Sequence, residues 1–420
     1  MNFIKSHLRR RVAFFYCLLL KCIYFASLRI TMQIIPVIDQ STALQFLQVA
    51  VTLHKNEPNW IRPLDKDINE VFDKEKNKAF RFGEVIRWIL KDDEGKLIGR
   101  IAAFINKKYK NKGDDVPVGG IGFFECINNQ DAADLLFDNA RHWLIQQGME
   151  AMDGPINFGE RDRWWGLITE GFSPPLYCMN YNPPYYITLF ENYGFKVFFN
   201  QVCFGLDAQK KIAQKTLDRY EIHKANPDIG FETIKKNDLE KYAADFTEVY
   251  NKAWAGHGGL KQMAKEQVLL MFKKMKPVME ENLVYFVYYQ KVAIAMFINM
   301  PDINQYFRHL NGKFGLLQKL EFVFRQKFKP SKKFVGLVFG VVPEWQGKGI
   351  DSYIIGECRN IIQAPPYRYT EYEMQWIGDF NPKMINVAES FGDTFRSRNL
   401  ATYRYLFDRT KEFKRHPILL

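Results

Sequence analysis

Val335-Gly-Leu-Val-Phe-Gly-Val-Val342, followed by Pro343-Glu-Trp-Gln346-Gly347-Lys348-Gly349-Ile350-Asp351, is the stretch on which the reading of this chain turns. An apolar, β-rich run meets a proline turn. A Gly-Lys-Gly tripeptide then opens a helix whose Ile350, Ile354, Cys358, Ile361 and Ile362 share roughly one face. A strand that delivers such a turn into a helix N-terminus builds an anion site. The first helical amides lack internal partners, the helix dipole is positive there, and glycine lets a phosphate reach the backbone. A Walker-type P-loop is excluded, because Gly-x-x-x-x-Gly-Lys-Ser/Thr does not occur.

Around this unit, strands and helices alternate twice. In the first round, strands are expected at Ile34–Val37, Glu84–Lys91, Lys96–Asn106, Ile121–Ile127, Met149–Ile156 and Phe195–Leu206. Helices are expected over Ser41–Lys55, Asp131–Gln147 and Asn182–Tyr193, the last two closed by Gly148 and Gly194. Asp207–Gly230 is a charged, helix-prone connector. The second round gives strands at Phe231–Ile234, Leu283–Tyr289, Val292–Met300, Val335–Val342, Thr370–Ile377 and Ala401–Phe407. Its helices are Leu239–Trp254, an insertion around Phe314–Lys327, Ile350–Ile362 and Pro382–Phe391. The expected organisation is a leader over 1–31, a first domain over 32–207, a connector over 208–230 and a second domain over 231–415.

Gln346-Gly347-Lys348-Gly349-Ile350-Asp351 resembles the central motif of the GNAT acyltransferase superfamily, Gln/Arg-x-x-Gly-x-Gly/Ala, with Asp351 where the family has a small residue. Asn182-Pro183 through Tyr193-Gly194-Phe195 resembles the family's late Asn-Pro…Leu-Tyr-Glu-x-x-Gly-Phe pattern with one extra residue, and Asn381-Pro382 through Phe391-Gly392 resembles a weaker copy. The resemblance implies an α+β fold of two tandem GNAT-like domains, each a mixed, mostly antiparallel sheet flanked by helices. It implies that Val341, Val342, Gln346, Gly347, Lys348, Gly349 and Ile350 hold the donor, acetyl-CoA or another acyl-CoA, or a phosphopantetheine thioester on an acyl carrier protein, with Asn381 a lesser contact. Asp351 suits the helix dipole but repels a pyrophosphate. The first copy has Ile127-Asn128-Asn129-Gln130-Asp131 at the matching turn, which can cap a helix but offers no phosphate cradle.

The reaction implied is attack of a small-molecule or peptide amine on the thioester carbonyl. It needs a base for the incoming ammonium and an acid for the thiolate. The family's late-helix tyrosine falls on Phe190 and Ala388, neither of which can donate a proton. Glu373, on the strand Glu371–Ile377, is the expected base, ahead of Tyr372 and Glu344. The long aromatic loop Asp153–Tyr186, with Arg161, Arg163, Trp164 and Trp165, is expected to wall an acceptor pocket or to join the domains. Tandem GNAT-like folds also resemble the Fem peptidyltransferases, which take an aminoacyl group from tRNA, although no charged coiled-coil arm is present. A non-catalytic acyl-CoA binder is the third reading.

Composition narrows the partners. The 420 residues are 47% hydrophobic and 25% charged, as in globular chains. The net charge of +12 includes six basic residues and no acid in 1–31, leaving +6 for the rest. No Lys/Arg stripe interleaved with aromatics occurs, so DNA is not an expected partner. The six cysteines and seven histidines are scattered, so neither disulfides nor a metal site is expected, and a reducing cytoplasmic compartment is. His54, His142 and His257 are expected at the surface or in packing. Arg9-Arg10-Arg11 precedes an apolar run broken by Lys21, and membrane contact is expected only through residues 1–31.

Overall fold

The computed structural model describes residues 32–254, 262–366 and 368–419; the expected leader and His257 lie outside them. The described strands are β1 (Gln33–Pro36), β2 (Gly83–Lys91), β3 (Leu97–Asn106), β4 (Val118–Cys126), β5 (Ala151–Gly154), β6 (Leu167–Glu170) and β7 (Lys196–Asp207). They continue as β8 (Ile229–Thr233), β9 (Val284–Tyr289), β10 (Val292–Pro301), β11 (Lys333–Val341), β12 (Glu371–Met374), β13 (Ile377–Gly378) and β14 (Phe395–Leu406). They form one sheet in the order β1-β2-β3-β4-β5-β14-β7-β12-β11-β10-β9-β8.

The order repeats in mirror fashion about its centre. β1 to β4 form an antiparallel meander with β5 parallel to β4; β8 to β11 form another with β12 parallel to β11. Each half is a mixed, mostly antiparallel sheet with helices packed on it, the α+β arrangement expected. The two central strands are exchanged. β14, from the end of the chain, pairs with β5 of the first half, and β7, from the first half, pairs with β12 of the second. β7 and β14 pair with each other from Phe395↔Gly205 to Arg404↔Lys196. Each covalent half is thus closed by a strand of the other.

Local sequence explains the flanking helices. Gln130–Gln146 buries Ala132, Ala133, Leu136, Phe137, Ala140 and Leu144, spaced three or four apart, against the first sheet. Ile350–Ile362 buries Ile350, Ile354, Ile355, Cys358 and Ile362 against the second. The connector does contain a helix, Gln214–Lys224, whose Tyr220 ring stacks on Tyr353 at 5.9 Å.

The exchange sets a first prediction. Residues 32–207 expressed alone leave the facing edges of β5 and β7 without the strand that fills the gap between them, and open edges aggregate. This fragment is expected in the insoluble fraction, with solubility restored by co-expressing 208–420. A soluble, cooperatively unfolding 32–207 would overturn the expectation.

Candidate active site

In the second half, Lys333–Gly336 of β11 pairs with Glu371–Met374 of β12, and the Gln375 amide donates to the Gly336 carbonyl at 2.9 Å. The two strands then part. Leu337–Val341 keeps β10 on one side, with Val342 N–H donating to Ile294 O at 2.9 Å, while no strand of the described residues pairs with its other edge. The open edge leads into the Pro343–Trp345 turn and then to Gly347 (φ 72°) and Gly349 (φ 87°), conformations that disfavour any side chain. No side chain caps the helix that starts at Ile350, so its first amides face the turn.

The sequence-derived donor residues take distinct parts here. Gly347 and Gly349 shape the turn, and Lys348 is exposed beside it. Gln346 is engaged within the turn, donating Nε2–H to Val341 O at 2.9 Å. Val342 and Ile350 are buried and Val341 partly so. Asn381 stands apart, capping Pro382–Ser390 through the Met384 amide at 3.3 Å. Two residues not anticipated join the turn from the connector helix: His223 Nε2–H donates to Lys348 O at 2.7 Å, and Arg219 flanks Gly349. Lys348, His223 and Arg219 thus gather around the turn where Asp351 brings a negative charge.

Glu373 is 1% exposed. Arg398 donates Nε–H to one of its oxygens at 2.7 Å and Nη2–H to the other at 3.1 Å, Ser397 donates at 2.9 Å, and Lys333 pairs with it closely. Burial raises its pKa, but the charges and hydrogen bonds of Arg398 and Lys333 outweigh that and hold it below the ordinary value. A carboxylate with every oxygen so engaged is a weak base. Of the alternatives, Tyr372 is buried with its pKa pushed far up by burial, and Glu344 is exposed on the turn.

Asp302 adjoins this cluster, and burial, partly offset by Lys333, raises it to about 6. A carboxyl raised in the folded state contributes stability that is present below its unfolded pKa of 3.8 and lost as pH rises through 6. Asp302→Asn keeps an acceptor for the Asn304 amide. It is therefore expected to stabilise the protein at pH 8 by up to about 3 kcal/mol, a gap that closes toward pH 4 in urea unfolding.

The first half has the same parting of strands, filled differently. β4 pairs with β5 over Val118–Gly120, and beyond Ile121 the strands separate. Here the Tyr186 hydroxyl accepts from the Cys126 amide at 2.9 Å and the Tyr185 hydroxyl donates to the Cys126 carbonyl at 2.7 Å. Asn129 caps the following helix through Ala132 N–H at 2.9 Å. Both backbone groups of Cys126 are thus taken by tyrosine side chains in the first half, whereas in the second the matching Val341 carbonyl is taken by Gln346 and the edge before it stays without a strand.

Beneath those tyrosines lies a cavity walled by Leu47, Val51, Ile61, Phe124, Trp164 and Leu167, with Glu125 and Arg100 in its lining. His54, buried, contacts Glu125 through Nε2 at 2.7 Å, and its ring stacks on Trp60 at 5.1 Å. Tyr186 and Arg100 also donate to Glu125, at 2.8 and 3.2 Å. Burial raises the Glu125 pKa, and His54 and Arg100 more than reverse this. An ionised carboxylate only accepts, so Nε2 carries the His54 proton toward it. Nδ1 is buried without a hydrogen-bond partner.

This cluster was not legible as a site, since His54 and Glu125 are 71 positions apart and neither sits in a motif. Isolated polar residues within apolar runs, Glu125 after Phe123-Phe124 above all, were the only signal. The aromatic loop both lines this cavity, through Pro155, Trp164 and Tyr181, and ties the halves together. Arg398 reaches Pro174 O at 3.1 Å, and Asn304 reaches Pro175 O at 2.7 Å. Arg161 is held by Asn111 at 2.7 Å.

Burial pushes the thiols of Cys126, Cys178 and Cys358 up to about 12, which removes them as nucleophiles near neutrality. Among the described residues no cluster of three His, Cys, Asp or Glu is placed to hold a metal, and no helix is long and apolar enough to cross a membrane.

No family model matches the chain. It is 24% identical over 398 residues to a protein named bacterial ceramide synthase from Caulobacter vibrioides, covering 90% of this chain and 98% of that protein. Protein YghO of Escherichia coli is 23% identical over 351 residues, covering 83% and 88%. Among solved structures, the GCN5-related glucosamine N-acetyltransferase region of a fungal multi-domain β-N-acetylglucosaminidase superposes with a TM-score of 0.51 at 12% identity. That match covers 90% of this chain, which spans 38% of that one. With the repeated meander, the parted parallel strands and the glycine turn, these findings give the chain the fold of the GNAT (GCN5-related N-acetyltransferase) superfamily, in two tandem copies.

Proposed function

We propose that the protein is an N-acyltransferase that moves an acyl group from acyl-CoA, or another phosphopantetheine thioester, to the amine of a long-chain amino alcohol. The observation that carries this reading is the open edge of Leu337–Val341 running into an uncapped, glycine-shaped helix N-terminus. An extended amide-bearing arm can add to such an edge as a strand does, with its phosphates at the turn. The first copy, closed by Tyr185 and Tyr186, is left to serve the acceptor.

The acceptor class rests on the relative named bacterial ceramide synthase. Ceramide is a fatty amide of a long-chain amino alcohol, and the first-half cavity, which combines apolar walls with polar groups including an ionised Glu125, suits an alkyl chain bearing an ammonium group. The ammonium first gives a proton to a base, the free amine nitrogen attacks the thioester carbonyl, the C–S bond breaks, and the second proton lost by nitrogen balances the one taken up by the thiolate. We assign the base to His54, whose buried Nδ1 has no hydrogen-bond partner while Glu125, which lines the cavity, meets the ring through Nε2. Glu373 then acts by positioning Arg398 and Lys333.

The test is turnover by the full chain, given palmitoyl-CoA and sphinganine, followed by mass spectrometry of the amide and colorimetry of the free thiol. One thiol per amide is expected. CoA binding without thiol release, over a range of chain lengths and amines, would leave a non-catalytic binder. Transfer that requires aminoacyl-tRNA would favour the Fem-like reading.

A further inference from the structure

The helix Leu316–Phe328 is built the wrong way round for a core helix. Its single fully buried side chain is Phe322, which packs on Tyr306, Phe307 and Phe314. Leu316, Leu317, Leu320, Val323, Phe324 and Phe328 are all more than half exposed. At 100° per residue they fill one arc, opposite Phe322. Burial against the rest of the protein therefore does not account for six of its large apolar side chains. Contiguous apolar surface of this kind on a globular protein marks a contact with something else.

Charge identifies what that is. Between Ile303 and Lys332 there are seven basic residues, Arg308, Lys313, Lys319, Arg325, Lys327, Lys329 and Lys332, and one acid, Glu321. Glu321 is paired with Arg325 at 2.9 Å. Lys319 is exposed at one edge of the apolar arc, Lys327 is exposed within its last turn, and Lys329 is exposed just past the helix end. An apolar stripe with long lysines at one edge and in its C-terminal turn matches the boundary of an anionic bilayer, where the stripe enters the acyl region and the lysine stems let the ammonium groups reach the headgroups.

The segment leading into the helix is hydrogen-bonded to residues of the first-half cavity. Gly312, just before the helix, accepts from the Asp65 amide at 2.8 Å, and Asn311 accepts from Arg62 at 3.3 Å. Arg62 and Asp65 both line the cavity. We infer that Leu316–Phe328 is a membrane-surface helix that seats the protein on anionic phospholipid, with the cavity beside the bilayer. The inference rests on the exposed face and its charge, independently of the transferase reading.

The test places an environment-sensitive fluorophore on Leu320→Cys in the full chain, with Cys17 and Cys22 replaced by serine to keep the label at one site. Vesicles of phosphatidylcholine with 30% phosphatidylglycerol are the probe. The expected result is a blue shift and brightening on vesicle addition, weaker with pure phosphatidylcholine and reduced at 0.5 M salt. Leu317→Glu/Phe324→Glu, at exposed positions, should weaken vesicle binding at least tenfold while leaving thermal stability unchanged. No spectral change at vesicle saturation would overturn the inference even if residues elsewhere bind the membrane. A change that instead follows protein concentration without vesicles would assign the face to a second copy of the chain and overturn it equally.

Discussion

Gly349→Glu is expected to weaken CoA and acyl-CoA binding at least a hundredfold, about 3 kcal/mol, in calorimetry on the full chain. Two effects act together. Gly349 has φ 87°, which an L side chain adopts at a cost of roughly 1–2 kcal/mol, and its new Cβ would stand 3.2 Å from the His223 ring. The carboxylate would then add to Asp351 and oppose the attraction that the uncapped helix amides, Lys348 and Arg219 offer an anion. The strain alone should lower the melting midpoint by a few degrees without unfolding the protein, so lost binding by a folded variant isolates the turn. Equal binding by variant and wild type would move the donor elsewhere. A folded wild type that binds no CoA would turn attention to carrier-protein donors.

Glu373→Gln is expected to act on stability before it acts on chemistry. The substitution leaves Arg398 buried with a neutral partner and deprives Lys333 of its counter-charge, which in interiors costs about 3–5 kcal/mol. Because the Glu373 pKa is held down, its contribution is present above its ordinary pKa of 4.5 and is lost as pH falls through the folded value. The difference between variant and wild type in urea unfolding should thus be full at pH 7 and shrink below pH 4.5. If stability is instead within about 1 kcal/mol of wild type while kcat falls a hundredfold, Glu373 is the base and His54 is not. His54→Asn completes the comparison through the pH dependence of kcat.

The second-half unit was readable because its information is local. The Val335–Val342 run matches β11 to within two residues, and the glycine turn and the Ile350–Ile362 helix stand where periodicity and Gly-Lys-Gly placed them. β14 was read as beginning at Ala401, six residues late. Phe395-Arg-Ser-Arg-Asn399 carries no apolar alternation, and its Arg398 is accommodated in the sheet centre by Glu373, 25 positions earlier and in no recognisable spacing with it. The strand exchange was invisible for the same reason, since which strand fills a gap is decided by partners some 200 positions apart. β6 and the helix Lys265–Met275 went unread, being short or weakly patterned. The Tyr185–Tyr186 closure of the first copy lay in a segment recognised only for its likeness to a family pattern. Its meaning depends on Cys126, which lies across the sheet.

The exchanged strand also sets the order in which the molecule can be made. When Asp207 leaves the ribosome, β4, β5 and β7 exist, yet the place between β5 and β7 belongs to residues that have not been synthesised. Roughly 200 codons later β14 arrives, about 10–40 s at ordinary elongation rates. Through that interval the facing edges of β5 and β7 lack the strand that pairs with both. The nascent first copy must be sheltered or held loosely until β14 is delivered, so closure of both copies waits on residues 395–406.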